Sequence, residues 1–144
     1  MNKKNQVLKE AFRILSITDV SETKLKSLLE KRGYKEPELS ETIEYLKKRN
    51  FISDIRLANL LTEKYIKKKK GSNYIRCILS GKGISEKVIS EVLAKTYPES
   101  LEYKVAKELL SSLKKPLKKT FYVLNSSGFS EQVIERLKEE KCEQ

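Results

Sequence analysis

Apolar residues along the chain recur at intervals of three and four, which is the spacing of the buried face of an α-helix. One such segment begins near Asp54. Its apolar residues Leu57, Ala58 and Tyr65 lie on one face, while lysines lie on another. Only five glycines and three prolines interrupt the pattern. The chain is therefore predicted to be all-α, with about nine helices near residues 6–16, 22–32, 38–49, 54–69, 73–81, 86–96, 100–113, 117–126 and 131–141.

The helical pattern itself repeats about every 45 to 50 residues. Gly33, Gly83 and Gly128 each follow a short apolar helix and suit the left-handed turn that ends one. The phrase Ile-Ser-Glu-Lys-Val-Ile after Gly83 returns after Gly128 as Phe-Ser-Glu-Gln-Val-Ile. An alanine precedes each glycine by 22 to 25 residues, at Ala11, Ala58 and Ala106. These signals share one register and predict an internal three-helix repeat.

Three-helix units of this size bury little apolar surface alone and gain stability by stacking on their neighbours. We therefore predict three tandem three-helix repeats that form an elongated, curved body, at residues 1–50, 51–98 and 99–144. A compact bundle of similar helical hairpins is the alternative. In the central repeat, Ser72 and Ser85 are predicted to cap the helices that follow them, and Gly81 or Gly83 to end the first of these two helices.

The positive charge of the chain is concentrated in two segments. The 144 residues have a formal net charge of +11. Residues 47–82 contain 11 basic and two acidic side chains, and residues 104–119 contain six basic and one acidic, so the remainder is slightly acidic. Such a surface attracts polyanions and releases their counterions. We predict nucleic-acid binding through Lys64, Lys67, Lys68, Lys69, Lys70, Arg76, Lys82, Lys114, Lys115, Lys118 and Lys119.

Some of these charged and aromatic residues also have structural interpretations. Lys67 to Lys70 fall in the last turn of the predicted helix 54–69, where each cation complements the helix dipole by about 0.3 to 1 kcal/mol. Tyr65 and Tyr74 could stack on bases, although their helical spacing with apolar neighbours favours core packing. The acidic C-terminal segment is a candidate for protein contacts, with a solvated helix face as the alternative: Glu131, Glu135, Glu139, Glu140 and Glu143.

Composition argues against an enzyme. The chain has no histidine and only two cysteines, Cys77 and Cys142, which lie far apart, so the usual zinc ligands and acid–base groups are missing. The segment Gly81–Ser85 lacks the glycine spacing of a phosphate-binding loop. We predict no catalytic residue, no metal and no cofactor. The absence of a long apolar run and of a signal-peptide pattern predicts a cytoplasmic protein without membrane contact.

Residues 51–93 carry a specific pattern. An acidic phrase precedes an alanine-bearing helix, a basic run leads to a glycine, and the next helix ends in Lys-Gly-Ile. This pattern resembles the central repeat of the RecX family, small cytoplasmic regulators of the bacterial recombinase RecA. The matching positions, most of which we expect to serve helix packing and turns, are Asp54, Ala58, Gly71, Ile75, Leu79, Lys82, Gly83 and Ile84.

The resemblance implies a function and partners. It implies a body of three three-helix repeats that lies in the groove of the RecA–DNA filament and contacts single-stranded or double-stranded DNA. It also implies inhibition of RecA recombinase and co-protease activity in DNA recombination, DNA repair and the SOS response, without catalysis. We expect the chain to be monomeric. Three features depart from the family pattern: Asn50 replaces a common glycine, Ser53 replaces an acid, and the basic run is lysine, which lacks the bidentate fork of arginine.

Two other functions fit the residues less closely. Three-helix units with tight turns also describe helix-turn-helix transcriptional regulators. The chain lacks the arginine- and asparagine-rich recognition helix expected of a sequence-specific DNA reader. A helical scaffold that binds only protein is the second alternative, and it predicts no affinity for single-stranded DNA even at low salt.

Overall fold

The computed structural model describes residues 3–114 and 116–142, and in these ranges the chain forms nine helices and no strand. The helices are α1 (Lys3–Ile17), α2 (Glu22–Lys31), α3 (Glu38–Lys48), α4 (Asp54–Lys67), α5 (Ser72–Gly81), α6 (Glu86–Thr96), α7 (Glu99–Ser112), α8 (Leu117–Ser126) and α9 (Glu131–Cys142). The all-α prediction is confirmed. No helix in the described ranges is both long enough and apolar enough to cross a membrane.

The helices pack in groups of three. In each group the first and third helices lie against each other, as in α1 with α3, and the second helix packs on both. The buried side chains of α1–α3, together with Ile52, form one hydrophobic cluster, and those of α4–α9 form another. Ala11, Ala58 and Ala106 are fully buried at matching positions in the first helices. Three three-helix repeats are thus present, and the second and third share one core.

The predicted glycine turns are confirmed. Gly33, Gly83 and Gly128 have φ angles of +94°, +86° and +85°, in the left-handed region where glycine has no steric penalty. Of the two glycines considered for the end of α5, Gly83 makes the turn, while Gly81 is still helical.

The end of α4 differs from the prediction, which extended this helix to residue 69. The helix ends at Lys67, and Lys69 takes a left-handed φ of +61°. The Lys69 N–H donates to the Ile66 carbonyl at 2.9 Å, and the Lys70 N–H donates to the Tyr65 carbonyl at 3.0 Å. Lys68 to Lys70 therefore form a turn that closes the helix, and the prediction that they lie in its last helical turn was wrong.

Of the two predicted serine caps, Ser85 is confirmed and Ser72 is wrong. The Ser85 hydroxyl accepts the Val88 N–H at the start of α6. Ser72 was predicted to cap α5, but the cap residue is Gly71, and Ser72 is the first helical residue. The reason is space: a Cβ on Gly71 would lie 2.2 Å from the backbone nitrogen of Phe129. Only glycine permits this approach between the second and third repeats.

Acidic side chains connect successive repeats. Asp54 Oδ1 accepts the Glu22 N–H at 2.9 Å, so the first residue of α4 caps α2 of the preceding repeat. Glu102 Oε2 accepts the Ser72 N–H at 2.8 Å in the same way, from α7 to α5. Each carboxylate stands four residues before the buried alanine of its own helix. The negative charge complements the N-terminal helix dipole and satisfies a free N–H group, so it fixes one repeat on the next.

Candidate nucleic-acid interface

Three of the predicted DNA-binding lysines converge on two tyrosine rings. The ammonium nitrogens of Lys64 and Lys68 each lie 5.5 Å from the centre of the Tyr65 ring, and that of Lys70 lies 4.9 Å from the Tyr74 ring. The two rings are 5.4 Å apart at an angle of 58°. Cation–π attraction holds the ammonium groups at these distances. We call these five residues the tyrosine–lysine cluster.

The local fold explains why this cluster forms. Lys64 lies in the last turn of α4 and Lys68 is the residue that caps it, and the Lys68 N–H donates to the Lys64 carbonyl at 3.3 Å, so the two side chains lie on the same side. The Tyr97 hydroxyl donates to the Lys70 carbonyl at 2.8 Å and anchors the turn that follows α4. Burial, with a smaller effect from nearby Glu102, raises the pKa of Tyr97, so its hydroxyl stays protonated as a donor. Lys68 and Lys70 therefore lie in a turn that hydrogen bonds hold in place, directly after the helix that contains Lys64.

Two of the other predicted cations are already paired with carboxylates. Lys69 forms an ion pair with Glu108 of α7, and this hydrogen-bonded contact lowers the pKa of Glu108. Arg76 forms an ion pair with Glu86 at the start of α6. Both side chains offer less net charge to a phosphate than the sequence alone indicates.

A cleft between the first and second repeats adjoins the tyrosine–lysine cluster, because Tyr65 lines it. Lys82 is exposed and lines this cleft with Tyr65 and Lys24. Sequence reasoning missed Lys24, because it belongs to α2 and lies outside both strongly basic segments. It reaches the cleft because the start of α2 contacts the turn after α5, where the Ser21 hydroxyl donates to the Lys82 carbonyl. Lys67 is exposed as the last residue of α4.

The third repeat contributes a separate groove. Lys118 lines a depression of about 750 Å³ on α8 and α9 together with Asn73, the neighbour of Tyr74 in the chain. Lys114 and Lys119 are exposed on either side of the start of α8. Lys115, also predicted to bind DNA, lies outside the described residues. Lys118 thus lies in the same groove as the residue that precedes Tyr74 of the tyrosine–lysine cluster.

The acidic C-terminal helix makes contacts within the chain. Glu135 pairs with Lys138, and Glu140 pairs with Arg136 and accepts a hydrogen bond from the Tyr103 hydroxyl. This hydrogen bond raises the pKa of Tyr103. Glu131 and Glu139 are exposed, and Glu143 lies outside the described residues. The contacts favour a solvated helix face over a protein-binding surface.

The residues that carry the family resemblance lie mostly in the core and at the repeat junctions. Ala58, Ile75, Leu79 and Ile84 are buried. The other motif residues form contacts at the repeat junctions: Asp54 caps α2, Gly71 packs on Phe129, Gly83 makes the left-handed turn, and the Lys82 carbonyl accepts a hydrogen bond from the Ser21 hydroxyl.

Among the described residues, no group of three or more cysteine or acidic side chains is arranged to hold a metal ion.

Sequence comparison with known proteins finds relatives named regulatory protein RecX. No family model matches the chain. It is 33% identical over 111 residues to regulatory protein RecX of Clostridium botulinum, a match that covers 73% of this chain and 50% of the relative. It is 30% identical over 133 residues to regulatory protein RecX of Clostridium perfringens, covering 83% of this chain and 61% of the relative. The chain therefore spans only about half to two thirds of the length of these curated relatives.

Solved structures give the same result for the fold. The crystal structure of RecX from Lactobacillus salivarius superposes with a TM-score of 0.85, covers 96% of both chains and is 22% identical. A second crystal structure, of regulatory protein RecX, gives a TM-score of 0.76 at 22% identity and covers 95% of this chain and 72% of the other. These matches establish a shared fold. The sequence relatives show that the chain belongs to the RecX family.

Proposed function

We propose that the chain is a non-enzymatic regulator that binds the RecA–DNA filament in the cytoplasm and inhibits RecA recombinase and co-protease activity. The name of its curated relatives, regulatory protein RecX, supports a regulatory role. The resemblance in residues 51–93 supports RecA as the partner. Phosphate contacts come from the basic surface, which we define as the tyrosine–lysine cluster with Lys67, Lys82 and Lys118.

The observation that carries the proposal is the tyrosine–lysine cluster. Among the described residues, no carboxylate forms an ion pair with Lys64, Lys68 or Lys70, in contrast to the neighbouring Lys69. Ammonium groups held on aromatic rings keep their full charge and are already positioned, so less side-chain entropy is lost when a phosphate binds. Lysine supplies point charge without bidentate geometry, which suits a partner whose backbone is read independently of sequence.

Adjacent lysines are expected to differ in their contribution to DNA binding. Lys68→Gln removes a charge that has no ion pair among the described residues, and should make the negative slope of log affinity for single-stranded DNA against log salt shallower by about 0.7. Lys69→Gln removes a charge that Glu108 already neutralises, so the slope should change by much less. Fluorescence anisotropy with an oligothymidylate over a range of salt concentrations measures both. Equal effects of the two substitutions would contradict the role given to the ion pair.

Removing the acidic partner of Lys69 should strengthen DNA binding. Glu108→Gln frees the ammonium group of Lys69 and should steepen the salt dependence by about 0.7, which raises affinity about fivefold at 0.1 M salt. The same anisotropy titration measures this gain. The control is Glu99→Gln, which removes an exposed acid from the same helix, α7, nine residues before Glu108 and so about 13 Å from it along the helix axis. A gain of similar size in the control would assign the effect to net charge alone.

RecA assays test the proposed function directly. Adding the chain to RecA filaments on single-stranded DNA should reduce DNA strand exchange, ATP turnover and repressor cleavage at substoichiometric to stoichiometric amounts. Charge removal at Lys64, Lys68 and Lys70 together should weaken all three effects. Unchanged RecA activity at a severalfold excess of the chain would contradict the proposal, and so would a footprint on one specific duplex sequence, which a helix-turn-helix regulator would give.

A further inference from the structure

The cleft between the first and second repeats combines apolar walls with a basic rim. It has a volume of about 550 Å³, within the roughly 300 to 1,000 Å³ range of small-molecule sites. The half-buried side chains of Val20, Leu28 and Ile78 supply apolar surface. Lys24 and Lys82 are exposed at the cleft, and Asp19 is an acidic side chain beside them.

The two walls of the cleft are held together by contacts between the repeats. The Ser21 hydroxyl, which is fully buried, donates to the Lys82 carbonyl. A Cβ on Gly83 would lie 3.1 Å from Ser21 Oγ, so the turn after α5 packs directly on the first repeat. The bond from Asp54 to the Glu22 N–H adds a second link. The cleft is therefore preformed, and binding there requires little reorganisation.

An aromatic ring joins this cleft to the basic surface. Tyr65 lines the cleft and also carries Lys64 and Lys68 over its ring. A flat apolar group that enters the cleft would meet the tyrosine and the aliphatic walls, while an attached chain of negative charges would meet Lys24 and Lys82. A nucleobase joined to its phosphates has this combination of properties, and base stacking on aromatic rings occurs only when the base is free of a duplex.

We propose that the cleft binds an unstacked base of single-stranded DNA, with Tyr65 as the stacking surface and Lys24 and Lys82 as ligands of the flanking phosphates. The proposal deepens the proposed function, on which it rests, by giving single-stranded DNA a defined position beside the tyrosine–lysine cluster. Among the described residues that line the cleft, Asp19 is the one acid and Lys24 and Lys82 are basic. Lys64 and Lys68 lie over the Tyr65 ring, so positive charge is in excess around the cleft and can neutralise the phosphates of the strand.

Protection of Cys77 reports directly on occupancy of the cleft. Cys77 is an exposed free cysteine that lines it, and Cys142→Ser leaves Cys77 as the one thiol of the chain. A saturating oligothymidylate should slow alkylation of Cys77 by a maleimide at least severalfold, and a duplex of the same length should protect it less. An alkylation rate unaffected by the oligothymidylate would overturn the proposal.

Substitutions separate base stacking from phosphate binding. Tyr65→Leu should weaken binding of oligothymidylate about tenfold and binding of an abasic strand of equal length by much less, because the abasic strand loses only the positioning of Lys64 and Lys68 on the ring. Tyr65→Phe keeps the ring and should bind normally, which shows that a loss in Tyr65→Leu is specific to the ring. Tyr45→Leu is the matched control, since it removes a half-buried tyrosine with Arg49 over its ring from α3. Equal affinities of Tyr65→Leu and Tyr45→Leu for oligothymidylate would overturn the stacking role.

The phosphate ligands and the proposed function are tested separately. Lys24→Gln should make the negative salt slope shallower by about 0.7 for both the normal and the abasic strand, which lowers affinity about fivefold at 0.1 M salt. An unchanged slope would overturn the role of Lys24. If Cys77 is not protected but the chain still inhibits RecA, the cleft is wrong and the proposed function stands. If Cys77 is protected and RecA is unaffected, the cleft binds DNA and the proposed function fails.

Discussion

Gly71→Ala is expected to lower the free energy of unfolding by at least about 3 kcal/mol, because the new methyl group has no space. A Cβ at this position would lie 2.2 Å from the Phe129 nitrogen and 2.3 Å from the Gly128 carbonyl carbon. These are backbone atoms, which cannot rotate away as a flexible side chain can. The N–H of Gly71 also donates to the Ser127 carbonyl at 2.9 Å, so movement to relieve the clash would break this bond.

Gly81→Ala is the matched control for Gly71→Ala. Gly81 lies in α5, and a Cβ there would meet nothing within 4 Å. Alanine in place of a helical glycine stabilises by up to about 0.5 to 1 kcal/mol, so this variant should unfold at an equal or higher urea concentration. Urea unfolding followed by circular dichroism compares the two. A Gly71→Ala variant as stable as the wild type would contradict the close packing of the second and third repeats.

Glu102→Gln is expected to lower the free energy of unfolding by about 2 to 4 kcal/mol. Glu102 is 3% exposed, and its carboxylate accepts three hydrogen bonds: from the Ser72 N–H at 2.8 Å, the Ser130 N–H at 3.0 Å and the Ser130 hydroxyl at 2.9 Å. Bonds to a charged acceptor contribute about 1.5 to 3 kcal/mol each. The amide of glutamine keeps the shape but is neutral, so it weakens the bonds from the two N–H groups and removes the acceptor for the Ser130 hydroxyl or one of the N–H groups.

The effect of Glu102→Gln should be far larger than that of Glu99→Gln. Glu99 lies in the first turn of the same helix, but it is exposed, so its loss should cost under about 1 kcal/mol through the helix dipole. The unfolding midpoints of the two variants in urea measure the difference. Similar midpoints would show that Glu102 does not link α5 and α9, and that the junction depends on apolar contacts alone.

The helices were predictable because their signals are local. The three-and-four spacing of apolar residues, the buried alanines and the three glycine turns each act over a few residues, and all of them appear in the structure as expected. The roles of Gly71 and Glu102 could not be predicted from local signals. A glycine before a serine predicts a serine cap, and a glutamate on a helix predicts exposure, unless one knows that Phe129 and Ser130 approach across the repeat junction.

The candidate site was predictable in outline only. Counting charges located the two basic segments, but a lysine run gives no sign of which members face a carboxylate. Glu108 is 39 residues from Lys69 in the sequence, and only the packing of α7 brings them together. Lys24 was missed for the same reason, since its position in the cleft depends on how the first repeat stacks on the second.

Salt-dependent binding to single-stranded DNA, with and without RecA, tests the central claim most directly. The wild-type chain should bind RecA-coated DNA more tightly than bare DNA, and replacing Lys64, Lys68 and Lys70 by glutamine should make the negative salt slope on bare DNA shallower by about 2. The control replaces Lys3, Lys9 and Lys35, three exposed lysines of the first repeat, and should leave the slope near that of the wild type. Equal slopes for both triple variants, or no preference for RecA-coated DNA, would contradict the account.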